Sequence, residues 1–176
     1  MIYFSRNKST KANLEIDMDY TIRAIKETEY PLLEDFLYEA IFIPEGAEPP
    51  PRSILNTQEL QVYIESFGTQ MHDKALIVET DNKVIGAVWV RIMNDYGHID
   101  NKTPSFAISL YKKYRGHGIG TEMMKKMLDI LRACGYEKAF LAVQKANYAV
   151  KMYLNVGFEI VDENEEEYIM VNHLQC

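Results

Sequence analysis

The segment best suited to chemistry is a glycine-rich stretch, Tyr114–Arg115–Gly116–His117–Gly118–Ile119–Gly120–Thr121. Delivered by a strand to the start of a helix, Arg115-x-x-Gly118-x-Gly120 would present several unpaired N–H groups and the positive end of a helix dipole. Glycines there let a diphosphate approach the backbone without meeting a Cβ, so the turn reads as an anion cradle. It is not a P-loop, because GxxxxGK[ST] is absent. Nor is it a dinucleotide fingerprint, since Gly116-x-Gly118 would need a third glycine where Thr121 stands. The plainer reading is a tight strand-to-helix connection. A second motif lies downstream: Asn147-x-Ala149-x-x-x-Tyr153, then Gly157–Phe158.

The elements that must position these motifs can be read from periodicity. Residues 20–25 alternate as a first strand. Over 27–43, Leu32, Leu33, Phe36, Leu37, Ala40 and Ile41 line one face of an amphipathic helix that Pro44 ends. The Pro49–Pro50–Pro51 loop is stiff and polyproline-like. A second helix is expected over 57–67, with Leu60, Ile64 and Phe67 on one face. Strands at 75–80 and 84–93 read as a hairpin joined by Asp81–Asn82–Lys83. The polar, aromatic loop 94–102 precedes a strand at 105–111.

After the glycine turn, Met123, Met124, Met127, Leu128 and Leu131 mark a helix that Gly135 stops. A strand at 138–143, a short helix at 147–156 stopped by Gly157, and strands at 158–162 and 168–172 complete the chain. The acidic run 162–167 reads as a solvated hairpin tip rather than a cation site.

Length and composition agree with one globular domain: 176 residues, 47% hydrophobic, 26% charged and 11% aromatic. No apolar run approaches the roughly 20 residues that cross a bilayer. The N-terminal Met1–Ile2–Tyr3–Phe4 is too short for a secretory signal core. The expectation is therefore a cytoplasmic protein with no membrane partner. A net charge of −7 argues against a nucleic-acid partner, which asks for a basic face, and is compatible with cationic substrates. Two cysteines, Cys134 and Cys176, make no disulfide framework. The four histidines lack metal-ligand spacing, so no metal site is expected. Residues 1–17 are polar and weakly patterned, either an ordered arm or an extension upstream of a domain at 18–176; the second reading is preferred, with Met18 an alternative start.

The ordered pair of motifs, with this sequence of elements, resembles the GCN5-related N-acetyltransferase (GNAT) superfamily. The resemblance covers residues 20–172 and is most specific over 105–158. It implies an α/β (α+β) fold. Its mixed central sheet would have about six to seven strands, splayed between the fourth and fifth and flanked by about four helices. It also implies acetyl-CoA as cosubstrate and an amine, of a small molecule or peptide, as acceptor. Dimerisation is common in the family, though nothing in the sequence marks a homodimer interface.

By the same resemblance, Ile108, Ser109 and Leu110 would bind the pantetheine arm through backbone hydrogen bonds, with the Leu110 N–H polarising the thioester carbonyl. Arg115, Gly116, His117, Gly118, Ile119, Gly120 and Thr121 would wrap the pyrophosphate, and Asn147 would reach the cofactor through its side-chain amide. Tyr153 takes the place of the general acid that protonates the leaving thiolate. The alternative for Tyr153 is a core aromatic on the Val150/Leu154 face.

A general base is harder to find. A lysine-like amine near pKa 10.4 is neutral in roughly one molecule in a few thousand at pH 7, a handicap of about 4.6 kcal/mol. Some relatives carry a glutamate on the fifth strand, five residues before the motif asparagine; here Ala142 stands there, and the fourth strand has no carboxylate either. The loop before that strand offers His98, Asp95 and Asp100 as base or water-positioner, unless these groups only satisfy their own backbone. Trp89 reads as core before it reads as a substrate contact. Two functions stand: an N-acetyltransferase acting by direct attack in a ternary complex, and a non-catalytic acyl-CoA-binding regulatory module.

Overall fold

The central strands are buried in continuous runs, so both faces of one sheet are covered and carry a layer of packed side chains. The structure is a computed structural model and describes residues 18–94 and 97–174. Residues 1–17, on which the expected extension falls, lie outside the described residues, as do Asp95 and Cys176. In chain order the strands are β1 (Thr21–Ala24), β2 (Lys74–Thr80), β3 (Lys83–Arg91), β4 (Ser105–Leu110), β5 (Lys138–Gln144), β6 (Phe158–Glu163) and β7 (Glu167–His173). The helices are α1 (Leu32–Ala40), α2 (Gln58–Gln61), α3 (Ile119–Ala133) and α4 (Ala149–Asn155). The seven-stranded sheet runs β1-β2-β3-β4-β5-β7-β6. All its pairs are antiparallel except β4 with β5. Among the described residues no helix is long and apolar enough to cross a membrane.

Side chains from one face of the sheet (Leu76, Val78, Val88, Val90, Phe106, Leu110, Leu141 and Met170 among them) form a core with α3 and α4. Met123, Met124 and Met127 of α3 are wholly buried in it, each contributing about 2 kcal/mol through apolar area removed from water. The other face buries Ala75, Ile77, Ala87 and Trp89 against Leu33, Phe36 and Leu37 of α1. On that second face β5 and β7 carry a smaller cluster of Phe140, Ile169 and Val171.

Two helices are shorter than periodicity predicts. The first begins only at Leu32, after a 3-10 turn at Glu27–Glu29, because Pro31 has no N–H and its ring tolerates only the opening turn of a helix. The second keeps one regular turn. Beyond it the carbonyls are claimed from the sheet: Trp89 Nε1 donates to Tyr63 O, and Arg91 Nη1 donates to Val62 O and Glu65 O. Carbonyls turned inward to those donors cannot continue a helical ladder, and Ser66 and Gly68 then take positive φ. Arg91 is itself fully buried with Asp73 in a two-pronged ion pair. The β2–β3 turn is Asp81–Asn82, both at positive φ, the mirror-image geometry that matches strand twist.

The sheet opens between β4 and β5. Their ladder consists of the single pair Ser105↔Phe140, joined by Phe140 N–H donating to Pro104 O at 3.0 Å. No pairing continues toward Leu110 and Gln144, so the two parallel strands diverge into a notch.

Candidate active site

The notch and the glycine turn share one end of the sheet. Tyr111 N–H donates to Ile85 O at 3.0 Å, which fixes the alternation of β4. Ser109 and Ala107 also turn their N–H groups to β3, whereas Ile108 and Leu110 turn theirs into the notch. Of the three expected backbone contacts, Ile108 and Leu110 therefore face the opening. Ser109 does not; its Oγ donates to Phe36 O at 2.6 Å and pins α1 to the sheet.

Past Leu110 the chain makes a 3-10 turn at Lys112–Tyr114 and enters the cradle. Gly116 and Gly118 sit at φ of +83° and +82°, and a Cβ on either would meet nothing within 4 Å. Backbone conformation, not crowding, demands glycine at these two positions. Gly118 is the N-cap of α3, and the first helical donor to find a carbonyl is Glu122 N–H, which reaches Gly118 O. The N–H groups of Ile119, Gly120 and Thr121 precede it at the positive end of a 15-residue helix. This donor set fits a diphosphate. Within it Ile119 is buried and anchors the helix, while His117 is exposed.

The Arg115 side chain turns away from the cradle. Its Nε donates to Leu110 O at 2.7 Å, and its Nη2 reaches both the backbone and carboxylate oxygens of Glu39 at 3.1 Å. It thus ties the end of β4 to the end of α1.

Tyr153 lies in the core that α3 and α4 share with the sheet, edge-on to Phe158 with ring centroids 6.0 Å apart. It is 8% exposed, and its hydroxyl has no hydrogen-bond partner among the described residues. Burial, and secondarily Tyr148, pushes this phenol well above its ordinary range, so it stays protonated throughout neutral pH. Its neighbour Met152 leans on the cradle: a Cβ on Gly120 would lie 3.3 Å from Met152 Sδ. Asn147 Oδ1 accepts from Ala149 N–H at 2.9 Å, leaving its amide nitrogen for other partners.

These features coincide with a known family. The model of the acetyltransferase (GNAT) family matches residues 34–158. The chain belongs to that family. It is 36% identical, over 89 residues, to the Drosophila melanogaster protein named Probable N-acetyltransferase san; the alignment spans 48% of this chain and 46% of that protein. The fold is similar to a GNAT-family acetyltransferase of Streptococcus pneumoniae, with a TM-score of 0.67 at 19% identity over 89% of this chain and 100% of that one. It is also similar to the PaiA N-acetyltransferase of Thermoplasma acidophilum, solved in complex with coenzyme A. That comparison gives a TM-score of 0.65 at 18% identity over 89% of this chain and 99% of that one.

On the opposite face of this GNAT sheet lies the His98 loop. Gly97 packs so tightly on β7 that a Cβ there would sit 2.5 Å from Ile169 Cδ1. Ile169 is the cross-strand partner of Ala142, so the loop crosses the sheet beside the position where some relatives carry glutamate. His98 Nδ1 is buried without a partner among the described residues. Asp100, by contrast, is occupied within its own loop: Lys102 N–H donates to it at 2.7 Å, and that bond, followed by one from the Thr103 hydroxyl, lowers its pKa. Trp89 is core, as expected.

Sequence reasoning missed three contributors: Glu39, which holds Arg115; Met152, which touches the cradle; and Gly86 of β3, which faces Leu110. Only Gly86 leaves a sequence signal, a glycine interrupting a run of strand formers.

Proposed function

We propose that the chain is an acetyl-CoA-dependent N-acetyltransferase that transfers the acetyl group to a primary amine of a small molecule or peptide. The observation that carries this reading is the junction of the β4–β5 notch with the Gly116–Thr121 cradle: N–H donors for a thioester and for a diphosphate stand on consecutive segments of chain. The coenzyme A complex of the Thermoplasma acidophilum protein, whose fold is similar, supports it.

Acetyl-CoA supplies the activated acyl group as a thioester. In this reading the N–H groups from Gly116 to Thr121 grip the pyrophosphate, and the Asn147 amide nitrogen adds a donor. The Ile108 and Leu110 N–H groups hold the pantetheine arm and thioester, Leu110 aimed where negative charge gathers on oxygen. Tyr153, kept protonated by burial, gives its proton to the departing thiolate. Exposed Cys134, at the far end of α3, is remote from these groups, so the amine attacks directly within a ternary complex. His98, with its unpartnered buried nitrogen, accepts the amine's proton directly or through a water.

A thiol-release assay tests this with acetyl-CoA and a panel of polyamines, aminoglycosides, amino acids, and peptides bearing N-terminal or lysine amines. Amine-dependent release of free coenzyme is the expected result. Thermal protection by coenzyme without release on any amine would favour the non-catalytic binding module. Neither protection nor release would remove both readings.

A further inference from the structure

Gly86 sits inside the nine-residue strand β3, where glycine weakens a strand through backbone entropy and lost packing. Its φ lies outside the left-handed range, so its backbone conformation does not require glycine. A β-bulge adjoins it, for the β2 register jumps from Val78↔Gly86 to Glu79↔Val84, yet a bulge residue at negative φ can be any amino acid.

What forbids a side chain is across the ladder. Gly86 is the direct partner of Leu110. A Cβ would lie 2.3 Å from Leu110 Cδ2, 3.1 Å from its Cγ and 2.8 Å from Ser109 O. The other side of the same isobutyl group faces the cradle, where a Cβ on Gly120 would stand 3.8 Å from Leu110 Cδ1 and 3.3 Å from Met152 Sδ. The Leu110 side chain is therefore seated between one glycine of the sheet and one of the α3 first turn. The ladder to β3 turns the Leu110 N–H into the notch, and the seat fixes how closely β4 lies to Gly86 and to the first turn of α3.

We propose that Gly86 is a positioning residue for acyl transfer: its missing side chain lets Leu110 and β4 pack close against β3, which holds the Leu110 N–H at its place in the β4–β5 notch. The proposal rests on the reading of that N–H as the thioester's polarising donor. Gly86 touches neither coenzyme nor amine; it acts through Leu110. A methyl group there must push Leu110 or β4 aside, since Ser109 O is backbone and cannot rotate away.

The test is Gly86→Ala, with kcat, KM for the amine, and coenzyme affinity measured separately on folded protein. Expected is a fall in kcat of about 100-fold, the scale for misplacing a catalytic group by about 1 Å, with coenzyme affinity falling far less because the pyrophosphate donors of Gly116–Thr121 are not substituted. Trimming the obstructing side chain, as G86A/L110A, keeps the Leu110 N–H and should regain about tenfold of the loss. If Gly86→Ala does not fold, Leu110→Phe overfills the same seat from the other side and should give the same defect in kcat.

Unchanged kcat in folded Gly86→Ala and in Leu110→Phe would overturn the proposal, as would affinity falling in step with kcat or a double variant no better than Gly86→Ala. The Leu110 amide resonance in nitrogen-labelled protein separates this from failure of the acetyltransferase reading. In the parent it should shift between coenzyme A and acetyl-CoA, and in Gly86→Ala it should not. No shift in the parent removes the thioester-donor reading itself. An equal shift in both proteins removes Gly86 alone.

Discussion

Arg115 Nε and Leu110 O are joined by a 2.7 Å hydrogen bond that closes the chain between notch and cradle into a short clasp. The Glu39 carboxylate holds the other end of the same guanidinium. A charged hydrogen bond contributes about 1.5–3 kcal/mol, whereas the partly exposed ion pair adds only about 0–1 kcal/mol. Arg115→Ala is therefore expected to lose about 2 kcal/mol in denaturant titration and to raise KM for acetyl-CoA. Glu39→Gln, which leaves the Leu110 bond intact, should cost much less in both measurements.

Tyr153→Phe should lower turnover about 10²–10⁴-fold with coenzyme affinity unchanged, since only the transferable proton is removed. Burial raises this phenol's folded pKa above its ordinary value of 10.0. Its contribution to stability is then complete below pH 10 and is lost as pH rises beyond it, because the unfolded chain releases the proton first. Alkaline melts of the parent should show that decline, and those of Tyr153→Phe a shallower one.

His98 carries a buried ring nitrogen without a partner among the described residues, the form in which a base accepts a proton. His98→Gln should lower kcat/KM about 10²-fold with coenzyme affinity unchanged. An unchanged kcat/KM would withdraw His98 and leave a water relay or the substrate's own equilibrium to do the work.

The Arg23 guanidinium, donating at 2.8 Å, and the Lys26 N–H hold the Glu29 carboxyl at about 2. A depressed carboxylate pKa contributes stability above the unfolded value near 4.5, and the contribution disappears as pH falls toward 2. Glu29→Gln should therefore be less stable than the parent at neutral pH, with the difference shrinking across that acid window in thermal melts.

Breaking the buried Asp73–Arg91 pair leaves an uncompensated charge where both side chains are at most 2% exposed. Asp73→Ala is expected to cost about 3–5 kcal/mol, read as a large shift in unfolding midpoint. Replacing both partners with apolar residues should cost less.

Periodicity placed seven strands and a glycine turn leading into α3 in advance, while the splay between β4 and β5 was implied only by the family resemblance. The strands and the turn were legible because turn glycines, helical spacing of methionines and alternation of apolar residues are local properties of the chain. Helix ends were not. The truncation of α2 depends on Trp89 and Arg91 donating to its carbonyls from a strand some 25 residues away, and no local pattern carries that competition.

The site divides the same way. Sequence by itself determined the glycine turn into α3, since Gly116 and Gly118 are required by backbone conformation alone. It also set Tyr153 on the short helix that follows β5. Only the tertiary structure decided that the Arg115 side chain serves Leu110 and Glu39, that Ser109 serves α1, and that Gly86 makes room for Leu110. The reason is physical: a dihedral belongs to one residue, whereas burial, crowding and hydrogen-bond competition belong to pairs that only the folded sheet brings together.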